Sequence, residues 1–75
     1  MSNDNEEMNK IERLYILINL REHAQPEYTM YTWLEDNLRY LITKGFVSVM
    51  SGHYIITVTG LTYLKTQLDK IEDIL

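Results

Sequence analysis

The stretch "LRYLITKGFVSVMSGHYIITVTG" (Leu38–Gly60) constrains this chain more than any other. Leu38 and Leu41 lie one turn apart on a helical face, and Gly45 follows where a helix commonly stops in a left-handed residue. Two runs rich in β-formers come next, Phe46–Met50 and His53–Thr57, joined by Ser51–Gly52, a pair suited to a two-residue hairpin turn. That loop sets Val49 opposite Tyr54 and Val47 opposite Ile56. Those four share one face, expected on the core side, which leaves Phe46, Ser48, Met50, His53 and Ile55 on the other. Thr59 then stands where it can cap a helix starting at Gly60. A helix end, a hairpin and a helix start in one line require an α+β fold.

The flanking segments read as helices. Before the line, Met8 to Glu22 carries Met8, Ile11, Leu14, Tyr15, Leu17 and Ile18 at helical spacing. Ile16 and Leu20 fall off that stripe, so the helix is apolar around much of its circumference, as a helix covered on two sides would be. Pro26 breaks the pattern by disfavouring helix at Gln25. A second helix is expected from about Met30 to Lys44, with Tyr31, Leu34, Leu38 and Leu41 as its core stripe. The C-terminal helix, 60–75, places Leu61, Leu64, Leu68, Ile71 and Leu75 at alternating spacings of three and four. Two uses of that stripe are open: packing on the domain's own core, or pairing with a symmetry mate. The second makes Leu64, Leu68, Ile71 and Leu75 a dimerisation seam.

A chain of 75 residues makes one domain with a modest core, which association would help to stabilise. It has no cysteine, so neither a disulfide nor a thiolate metal site can staple it. The two histidines, His23 and His53, are far apart with no ligand set around them, and no metal or cofactor is expected. No apolar run nears the roughly 18 residues of a membrane span, and the start "MSNDNEEMNK" is unlike a signal peptide, so a cytoplasmic location is expected. The net charge of −4 sits at the ends: Asp4, Glu6 and Glu7 at one, Asp69, Glu72 and Asp73 against Lys70 at the other. Residues 8–68 hold six bases and five acids. Residues 1–7 are expected to be a disordered acidic N-terminus and 8–75 the folded domain.

The two motifs "LRYLITKGFV" and "YIITVTG" resemble the lines L-x-x-L-x-x-x-G-h-V and Y-x-h-T-x-x-G (h apolar) of winged-helix regulators. The first is carried by Leu38, Leu41, Gly45, Phe46 and Val47, the second by Tyr54, Ile56, Thr57 and Gly60. The opening helix "IERLYILINLREH" is also similar to theirs, and the resemblance spans about residues 10–66. It implies a mostly helical, compact α-α-β-β-α winged helix with a long C-terminal helix. These are packing and turn residues, so they speak to fold before activity. Between Pro26 and Gly45 stand only 18 residues, short of the roughly 20 that two ordinary helices and a turn need. A support helix is therefore cut to about one turn around Tyr28–Trp33, or missing.

Two functions from different classes follow. The resemblance implies a small DNA-binding transcriptional regulator, a homodimer through its C-terminal helix, which presents Asn37, Arg39 and Lys44 to double-stranded DNA. The alternative is a winged-helix protein-interaction module, an adaptor or inhibitor of the kind phages and plasmids encode, which binds no DNA. Its partner would meet Trp33 and Tyr40, because aromatic anchors dominate protein interfaces. The wing tip "MSGH" has no Arg or Lys, which is weak for groove contacts. No phosphate loop or nucleophile setting occurs, and Glu35–Asp36 point to different azimuths, so the chain is not expected to be an enzyme.

Overall fold

The structure, a computed structural model, describes residues 2–26 and 35–74. In chain order the elements are α1 (Ser2–Glu22), β1 (Gln25–Pro26), α2 (Glu35–Thr43), β2 (Val47–Met50), β3 (His53–Ile56) and α3 (Val58–Ile74). The fold is α+β and mostly helical, with a long C-terminal helix, as the sequence implies. The short strand β1 is an addition. Its pairing of Gln25 with Tyr54 and Pro26 with His53 makes an antiparallel sheet of order β1-β3-β2. Pro26 extends the backbone before it and, lacking an N–H, suits a sheet edge. The expected positions of Met30, Tyr31, Trp33 and Leu34, and of any support helix, lie outside the described residues.

The hairpin has the register its sequence dictates: Val47 opposes Ile56, Val49 opposes Tyr54 and Met50 opposes His53. Ser51 (φ 51°) and Gly52 (φ 75°) both have positive φ, which is the type I′ geometry that matches strand twist. Val47 is buried, and Tyr54 and Ile56 pack on the core, whereas Val49 near the tip is exposed. Phe46 departs from the expected outer face. It lies before β2 begins, so strand alternation does not govern it, and it packs inward with its ring stacked on Tyr63 at 4.4 Å.

Both ends of the hairpin are fixed by caps. At the end of α2 the Gly45 N–H donates to the Ile42 carbonyl (3.0 Å) and the Phe46 N–H to the Leu41 carbonyl (2.9 Å), a Schellman stop with Gly45 at φ 81°. At the start of α3 the cap is Thr57, not Thr59. The Thr57 hydroxyl accepts the Gly60 N–H (3.0 Å) and donates to the Gly45 carbonyl (2.6 Å). One side chain thus ties the end of α2 to the start of α3. Two residues earlier than expected, the helix starts where the cap also gains this long-range bond.

The core is formed by Ile16, Leu17 and Leu20 of α1, Leu38 and Leu41 of α2, Val47 of β2 and Leu64 of α3. On α1 the side carrying Ile16, Leu17 and Leu20 turns inward. Ile16 and Leu20, expected off the stripe, are buried, while Met8, Ile11 and Tyr15 are exposed. The polar residues Asn9, Glu12 and Arg13 can line the α2 side because they bond to Asn37 there. Helical backbone begins at Ser2 rather than Met8.

Candidate functional site

Polar contacts between α1 and α2 centre on Asn37, which is 4% exposed. Its amide nitrogen donates to Asn9 Oδ1 (3.2 Å) and Glu12 Oε2 (2.5 Å). Its amide oxygen accepts from Arg13 Nε (2.9 Å). The Arg13 guanidinium also lies 3.6 Å from the centre of the half-buried Tyr40 ring, a cation–π contact. Every donor and acceptor of Asn37 aimed at α1 has a partner, so this residue offers no edge to a DNA base. It joins two helices instead. Tyr40 serves the same junction, with Lys44 Nζ also 5.5 Å from the centre of its ring.

The outward face of α2 is of mixed charge. Glu35 and Asp36 occupy its first turn, where the helix dipole favours anions on the protein itself and disfavours an approaching phosphate. Arg39 is exposed but pairs with Glu35 at 2.8 Å. Lys44 is exposed beyond the helix end. At the hairpin tip Met50 and His53 are exposed, and His53 Nδ1 lies 3.0 Å from the Ser51 carbonyl within the turn.

Along α3 the expected seam divides. Leu64 is 1% exposed and belongs to the core, and Leu68 packs against it, so neither forms an exposed dimerisation stripe. Ile71 is exposed, and Leu75 lies outside the described residues. The stripe is thus split between interior and surface along one helix. A hollow of about 450 Å³ between α3 and the end of α1 is lined by Leu61, Leu68, Arg21, Lys65 and Asp69, a mixture of both charge signs.

An exposed apolar ridge lies on α1. Met8 is 57%, Ile11 62% and Tyr15 46% exposed, at spacings of three and four that align them on the side opposite Ile16, Leu17 and Leu20. With Glu12 they border a shallow hollow of about 280 Å³. The sequence puts these three on an apolar stripe and leaves open which face of the helix is inside. The available signal was the apolarity of the whole helix, which shows that two faces need covering without saying which is inside.

Among the described residues no group of three His, Cys, Asp or Glu side chains could hold a metal ion. None of the described helices is long and apolar enough to cross a membrane. Comparison of the chain with protein-family models, with curated proteins and with solved structures gave no match.

Proposed function

We propose that this chain is a non-catalytic protein-interaction module on a winged-helix-like scaffold. The carrying observation is the exposed ridge Met8–Ile11–Tyr15 on the outward face of α1. Contiguous exposed apolar surface is costly in water, and on small domains it marks a protein contact. The scaffold part of the reading is supported by the motif residues, which act here as stops and caps: Gly45 ends α2, Thr57 starts α3, and a two-stranded hairpin lies between them.

The DNA-binding reading has less support. Of its expected contacts, Asn37 is buried, Arg39 is paired to Glu35, and Lys44 alone is both exposed and without an ion pair among the described residues. A single phosphate contact gives little affinity at physiological salt. Homodimerisation through α3 would rest on Ile71 and Leu61, since Leu64 is interior. Retention on heparin and on a random DNA duplex at low salt decides between the two. The wild-type chain should flow through both, as should Arg39→Glu. Retention that the charge reversal abolishes would establish the DNA reading in place of this one.

A further inference from the structure

We propose that the outward face of α1 docks a cationic amphipathic segment of a partner protein, an inference that rests on the protein-interaction reading and names the partner's chemistry. The ridge supplies the apolar half of the recognition. Its borders supply the other half, and they are acidic. Glu7 stands four residues before Ile11, Glu12 four after Met8, and Glu22 seven after Tyr15, so all three rise on the same side of the helix as the ridge. Glu7 and Glu22 are exposed. Glu12 borders the hollow while accepting from Asn37. Among the described residues Glu7 and Glu12 make no ion pair, and Glu22 has only the adjacent Arg21 at 3.5 Å.

An apolar strip between acids is complementary to a helix or strand that carries apolar side chains flanked by Lys or Arg. The same borders argue against other occupants. A two-fold axis sets a patch against its own copy, so a second chain would bring the Glu12 border against an acidic border. Duplex DNA and anionic lipid surfaces would be repelled.

The test uses the full chain and a fluorescent Leu/Lys amphipathic peptide of about 18 residues, five helical turns, beside its Leu/Glu counterpart. Anisotropy should show saturable one-to-one binding of the Leu/Lys peptide and none of the Leu/Glu peptide. The double variant Ile11→Ser, Tyr15→Ser changes no charge and sits at exposed positions. It should weaken binding at least about tenfold, the loss of roughly one good apolar contact, with an unchanged circular dichroism spectrum. Glu7→Lys with Glu22→Lys should weaken it comparably and flatten its salt dependence.

Equal affinity for wild type and the Ile11/Tyr15 variant would overturn the proposal, because attraction would then be charge alone. So would a wild-type dimer in sedimentation that Ile11→Ser dissociates, since the ridge would be a self-contact. Absence of Leu/Lys binding overturns it too. Arg39-dependent retention on DNA strikes instead at the broader protein-interaction reading, so the two failures are distinct.

Discussion

A methyl group on Gly45 would meet nothing within 4 Å, yet the backbone there holds φ +81°. At Gly60 the backbone is ordinary, but a Cβ would collide with the Phe46 carbonyl oxygen and press on Ile56. That carbonyl cannot easily retreat, because it accepts the Thr57 N–H at 3.0 Å. The two substitutions to alanine should therefore behave differently. Gly45→Ala should cost about 1 kcal/mol, the left-handed penalty, and Gly45→Asn less. Gly60→Ala should cost roughly 1–3 kcal/mol as overpacking, with no relief from Asn. Urea midpoints at constant slope measure both. Thr57 joins the same corner through its hydroxyl. Thr57→Ala removes a cap and leaves the Gly45 carbonyl short of a donor, a loss of about 1–2 kcal/mol. Thr57→Ser keeps the hydroxyl and should recover most of it in the same assay. A serine variant as unstable as alanine would mean that the methyl group, not the cap, matters at this position.

Elements built from neighbouring residues were legible in the sequence, and those decided by distant contacts were not. The hairpin register follows from alternation and a two-residue turn, both local. The stop at Gly45 is local as well. The face that α1 turns inward is a competition between two apolar stripes on one helix. It is decided by how Ile16, Leu17 and Leu20 meet Leu38, Leu41 and Leu64, and by Asn37 making polar neighbours acceptable at the seam. Strand β1 has no alternation to reveal it, being two residues long with a proline. On α3 the heptad-like spacing is real, but packing divides it between inside and outside. Leu64→Ala should accordingly lower stability by roughly 2–5 kcal/mol, as a core truncation does. Ile71→Ala, at an exposed position, should shift it by no more than about 0.5 kcal/mol. Light scattering beside the melts checks the assignment: the mass in solution should be the same for wild type and both variants. A mass that halves with Ile71→Ala would restore α3 as a dimer seam.

The whole molecule is small, 38 × 27 × 18 Å along its principal axes, and its described core consists of seven apolar side chains. Domains of this size bury a low share of their unfolded surface and sit near the bottom of the usual stability range. A partner that binds only the folded state then has a large relative effect. At ten times its dissociation constant it adds about 1.4 kcal/mol by mass action. For a chain of this length that raises the melting midpoint by roughly 5–10 °C. The charge distribution says which partner does so. With a net charge of −4, with Glu7 and Glu12 making no ion pair among the described residues on the α1 face and Arg39 held by Glu35 on the α2 face, the field around the fold attracts cations. Thermal melts with the Leu/Lys peptide should therefore shift upward in a concentration-dependent way. Melts with heparin or duplex DNA should stay where the free protein melts. The shift should fade in Ile11→Ser, Tyr15→Ser although that variant's own midpoint, set by residues on the other side of α1, stays close to the wild type. An upward shift with duplex that disappears in Arg39→Glu would instead place the interaction on α2 and return the fold to DNA recognition.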